Sequence, residues 1–117
     1  MAEQVALTEE QRKTHANLFL HLQAIRQRLM TVDPQSLTPE QRIGWNEQIY
    51  QVGLAISAAE GAILTSISED YVKTLPNIEK ETDKLAADLS TLKKANDAIA
   101  AVGSVLGTIS RIAALLG

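Results

Sequence analysis

Two histidines, His15 and His21, are the residues most able to move a proton or hold a metal in this chain. Helical metal centres place a glutamate three residues before an inward histidine. Here those positions hold Arg12 and Leu18, so the motif is absent. His15 lies on an apolar ladder, seven residues before Leu22, and reads as a histidine at the edge of a helical core. Glu79 and Asp83 share a helix face and read as a solvated charged surface. Cysteine is absent, which removes disulfides, thiolate metal sites and cysteine nucleophiles. No Gly-x-Ser-x-Gly elbow, phosphate-binding loop or dinucleotide fingerprint occurs. The chain is therefore expected to be no enzyme, with no metal site and no cofactor. One amide invites a structural role. Asn96 follows Leu92 by four and precedes Ile99 by three. It either sits in a buried seam and fixes register, or rotates to the edge with Ala95 turned inward.

The elements that would position these residues are helices. At 117 residues, with 45% hydrophobic and only 3% aromatic content, the chain has a core of Ala, Leu and Ile. Thr8-Glu9-Glu10-Gln11 has the form of a capping box. Leu18, Leu22, Ile25, Leu29 and Val32 then follow at alternating spacings of four and three, until Asp33-Pro34 ends the helix. Thr38-Pro39-Glu40-Gln41 starts a second helix with a cap residue followed by proline. Its ladder is Trp45, Ile49, Val52, Ile56, Ala59, Ile63 and Ile67, running on to Tyr71, with Pro76 as the next break. Ile78, Leu85, Leu89, Leu92, Ile99, Val102, Leu106 and Ile109 mark a third. No two-residue alternation of a half-buried strand is present.

The reading is all-α: a single helical domain over 1–117, an elongated antiparallel three-helix bundle running up-down-up, with helices over about 8–32, 39–74 and 77–116. At 1.5 Å per residue the helices measure about 37, 57 and 60 Å, so a long hairpin around Pro76 projects past the first helix. Its apolar residues, Ile63, Ile67, Tyr71, Leu75, Ile78 and Leu85, would need a partner to cover them. A second copy making a dimer is the expected cover, or a different protein. The competing arrangement breaks the second helix near Thr65-Ser66-Ile67-Ser68-Glu69, where Ser66 and Glu69 form another capping box. The lower piece then folds back into a compact monomer.

Small residues recur every fourth position: Gly53, Ser57, Gly61 and Thr65 in one helix, Gly103 and Gly107 in another. A helical glycine costs about 1 kcal/mol against alanine, so these are expected to form a seam of close helix packing. The tail from Ala98 to Gly117 carries Arg111 as its one charge. On an insertion scale its eight Ile, Leu and Val residues offer roughly −2.4 to −4.8 kcal/mol, and a central arginine costs about 2.5–3.5 kcal/mol. Crossing a bilayer as a lone helix is not expected. Ile99, Val102, Leu106 and Ile109 nevertheless form one apolar face opposite Lys93, Asp97, Ser104, Thr108 and Arg111. That face suits a bundle core, or the surface of a bilayer in a membrane-active, pore-forming or lipid-binding protein.

A net charge of −3 offers no basic face for nucleic acid, and Arg26, Arg28 and Arg42 read as a solvated helix surface. MAEQVALTEEQ has no apolar signal region, so the cytoplasm is the default location, with leaderless export or membrane association as alternatives. The functional expectation is binding, by self-association or by contact with another protein.

Overall fold

The computed structural model describes residues 4–5, 7–62 and 67–116. Among them are four α-helices: α1 (Glu9–Met30), α2 (Pro39–Ala62), α3 (Glu69–Thr91) and α4 (Ala95–Leu116). The all-α class is as expected, but the three-helix count is not. The helices pack into a bundle measuring 45 × 26 × 20 Å.

The first two starts follow the sequence signals. Thr8 Oγ1 accepts the Gln11 N–H at 3.1 Å, and Gln11 Oε1 accepts the Thr8 N–H at 2.9 Å. Thr38 and Gln41 repeat the exchange at 3.2 and 2.8 Å. Each box satisfies donors that the first turn of a helix leaves open. Between them, Asp33 caps a short 3-10 turn, Pro34–Ser36, by accepting the Gln35 N–H at 3.0 Å.

The long second helix and the long hairpin do not form. α2 is described over Pro39–Ala62, Ile67–Ser68 are extended, and a new helix starts at Glu69 with Ser68 as its cap, accepting the Tyr71 N–H at 3.2 Å. The fold-back arrangement is the one adopted, with Ser68 as the cap of α3, while Ser66 lies outside the described residues. Pro76 does not break the chain. It sits on the exposed side of α3, while Tyr71, Leu75, Ile78, Thr82, Leu85 and Leu89 hold the opposite side in the core. A proline inside a helix removes one backbone bond and costs about 3 kcal/mol, a cost that a continuous buried face offsets. The break falls instead at Leu92, whose ψ of 121° leaves the helical region. The Leu92 carbonyl is taken by Arg28 Nη2 of α1 at 3.1 Å.

In cross-section, α1 lies beside α2 and α3, α4 lies beside α2 and α3, and α1 and α4 stand on a diagonal. α1 and α2 form one antiparallel hairpin, and α3 and α4 form the other. Pairs from α1 to α3 climb together (His15 with Tyr71, His21 with Glu79, Arg28 with Leu92), so these two helices are parallel. α2 and α4 are parallel for the same reason of topology. Two short strands, β1 (Gln4–Val5) and β2 (Ile67–Ser68), pair antiparallel at the end where α3 begins. The core draws on every helix: Leu18, Leu22, Ile25 and Leu29 meet Val52, Ala55, Tyr71, Leu75, Leu85, Val102 and Ile109.

Candidate functional site

His15 and Tyr71 form the strongest polar cluster, and it lies inside the bundle. A carbonyl can only accept, so His15 Nε2–H donates to the Ala59 carbonyl at 2.9 Å. Nδ1 then accepts from the Tyr71 hydroxyl at 2.7 Å. Histidine and tyrosine meet edge to face at 5.7 Å between ring centres. One residue from each of α1, α2 and α3 is thereby joined. His15 is 3% exposed and Tyr71 is fully buried, so no substrate reaches either. Burial pushes the Tyr71 hydroxyl well above the usual phenol range, opposite to what a nucleophile or base requires. The pair is a structural fastening.

His21 reaches Glu79 Oε1 at 3.1 Å and Asp83 Oδ1 at 3.7 Å, tying the middle of α1 to α3. The two acids expected on a solvated face thus share a histidine, although Asp83 remains largely exposed. Among the described residues no group of three potential ligands could hold a metal ion.

The hairpin residues expected to face a partner are core residues. Ile67, Tyr71, Leu75, Ile78 and Leu85 are each between 0 and 4% exposed. The separation of α2 from α3 removes the overhang, and α1 covers what the hairpin would have shown. Ile63 lies outside the described residues. In α4, Val102 and Ile109 are fully buried, while Ile99 and Leu106 are half-buried at the flanks. The face that would meet lipid therefore points into the bundle.

The glycine seam also changes meaning. A Cβ placed on Gly53, Gly61 or Gly107 would meet nothing within 4 Å. Ser57 is exposed beside them. At Gly103 a Cβ would rest 3.5 Å from Gln48 Nε2, an ordinary contact. The buried small residues of α2 and α4 are instead alanines: Ala55, Ala59, Ala62 and Ala98. The core line of α2 is accordingly Gln48, Val52, Ala55, Ala59 and Ala62. Ile49 and Ile56 of the expected ladder are shifted to its flank.

Of the two arrangements open to Asn96 the structure shows the edge position, and the buried amide of the bundle is Gln48. Asn96 is exposed, with Ala95 turned further inward. Gln48 Nε2 donates to the Ile99 carbonyl at 2.8 Å, and its Oε1 is buried without a partner among the described residues. The signal was available, because Gln48 stands four before Val52 on the true core line.

Among the described residues, the side of the bundle formed by α1 and α2 is open to a ligand. An open groove there is lined by Arg26, Ile49, Tyr50, Gly53, Ile56 and Ser57. Tyr50 is 59% exposed, Leu54 39% and Ile43 70%, and all three lie on one outward line of α2. Scattered exposed apolar residues are ordinary, but a line of them beside side-chain-free glycines is a surface into which another helix can settle. Comparison with protein-family models, with curated proteins and with solved structures finds no match.

Proposed function

We propose that this chain is a non-catalytic helical-bundle protein that acts by binding another protein through the α1–α2 side of the bundle. The observation that carries the reading is the exposed line Ile43, Tyr50 and Leu54 beside open space at Gly53 and Gly61. Bulky residues set next to glycines give the knobs and the grooves that helix packing uses. The buried polar pairs support a binding role over a catalytic one, because each is spent in joining helices.

The test is photocrosslinking from position 54, with position 84 on the exposed side of α3 as control. Protein adducts from position 54 and none from position 84 are expected. No adduct from position 54, or adducts with lipid alone, would refute the reading.

A second reading has its own observation. The most apolar 18-residue stretch of α4 has a mean hydropathy of 1.8, yet only 17% of it is buried. A bundle that opens at a bilayer could insert this helix. The second reading expects flotation with liposomes and release of trapped dye. Protein that stays unbound with the dye retained counts against it.

A further inference from the structure

Two exposed charges of opposite sign on the α1–α2 side, Arg26 and Glu60, point to one partner. Trp45 Nε1 donates to the Leu29 carbonyl at 2.8 Å, and His15 donates to the Ala59 carbonyl at 2.9 Å. Both contacts give the same antiparallel register, in which Arg26 of α1 lies level with Gln48 of α2. Glu60 continues the line of Gly53, Ile56 and Ser57 along the groove and is exposed. Arg26 is exposed as well, and among the described residues neither makes an ion pair. The two charges therefore stand about 18 Å apart along the groove, one of each sign, with Leu54 at the midpoint.

From this placement, and resting on the binding reading above, we propose that the occupant is a second copy of this chain, docked α2 on α2 and antiparallel. A two-fold axis crossing the groove beside Gly53 and Leu54 sets Arg26 opposite Glu60 of the partner subunit, and the reverse pair forms with it. Such an isologous contact repeats every interaction twice. Gly53, Ser57 and Gly61, spaced by four, let the two α2 backbones approach. Tyr50 and Leu54 fill the space on either side. A lipid surface fits this patch less well, because it favours bulky apolar residues rimmed by several Lys or Arg. From Ile43 to Gly61 the patch is about 27 Å long and two helices wide, roughly 540 Å² per copy. Two copies together bury about 1,100 Å², at the lower edge of what specific dimers use. An interface of this size belongs with small, reversible contacts, so the concentrations to cover are in the micromolar range.

Sedimentation equilibrium across that range tests the proposal. The wild type is expected to pass from monomer to dimer. Gly53→Leu keeps its helix content, because its side chain enters open space, and stays monomeric. Arg26→Glu and Glu60→Arg each weaken the dimer by about fivefold or more, since each removes two pairs. The double variant R26E/E60R restores it, because the exchanged charges meet again across the axis. A wild type that remains monomeric overturns the proposal, as does a dimer indifferent to Gly53→Leu, or a double variant as weak as the single ones. If the wild type is monomeric but position 54 still crosslinks to a different protein, self-docking fails and the binding reading stands. If position 54 yields no adduct either, both fail.

Discussion

Tyr71 makes the alkaline limit of this fold calculable. Its hydroxyl is fully buried and donates to His15, and burial holds its acid dissociation well above the ordinary phenol value of about 10. A group raised in the folded state gives stability that is complete below the unfolded value and is lost as pH climbs past it. Above pH 10 the unfolded chain releases a proton that the folded chain keeps, so unfolding free energy falls by about 1.4 kcal/mol per pH unit. By pH 11.5 the loss is about 2 kcal/mol. The assay uses Tyr50→Phe, which leaves Tyr71 as the only phenol. Urea melts followed by circular dichroism are compared between this variant and Y50F/Y71F from pH 8 to 11.5. Near pH 8 the tyrosine form should be more stable by about 1–3 kcal/mol, because phenylalanine leaves His15 Nδ1 buried without a donor. By pH 11.5 that advantage should shrink by about 2 kcal/mol. Phenolate absorbance at 295 nm should rise only as the helical signal is lost. A phenolate that appears near pH 10 in an intact fold would refute the buried, bonded placement of Tyr71.

Leu85→Asp should unfold the chain, since it leaves a charge in a site 2% exposed, and circular dichroism should show helix loss, not a folded monomer. Survival of full helix content would return Leu85 to the surface. Gly107→Ala should raise stability by up to about 1 kcal/mol in thermal melts, because its Cβ enters open space on α4. A loss would mean that something packs there. Gln48→Leu should leave stability unchanged within about 1 kcal/mol or improve it, since it removes a buried oxygen with no partner. A drop of about 2 kcal/mol or more in urea melts would show that the amide is fully bonded in solution.

Much of the helical structure was legible because local chemistry determines it. The Thr8 and Thr38 boxes form as their residue types require, and the α1 ladder from Leu18 to Leu29 is buried throughout. The chain breaks were harder to read. Pro76 is a strong local signal, but tertiary burial on the far side of α3 overrides it. Leu92-Lys93-Lys94 contains neither glycine nor proline, and the break there is supported by Arg28 from 64 positions earlier. The phase of α2 is not legible from its apolar ladder, because its bulky residues, Trp45, Ile49 and Ile56, sit at the flanks while alanines fill the centre. Pattern reading weights large side chains, whereas close helix contact selects small ones. The candidate surface was hidden for the same reason: glycines that suggest tight packing face outward, which only the position of α4 beside the alanine line could reveal.

The arrangement of two antiparallel hairpins, α1 with α2 and α3 with α4, has a consequence for how the molecule comes together. Covalent continuity between the halves rests on residues 63–66, while α1 against α3, α2 against α4 and the β1–β2 bridge all join one half to the other without it. Neither hairpin closes a core alone, so each is one half of a template for the other. Cleaved between the halves, the chain should recombine by complementation: fragments 1–62 and 67–117 would be poorly ordered apart and regain helicity when mixed. Folding would then depend on fragment concentration, and the loop-closure entropy now met within one chain would appear as a measurable dissociation constant.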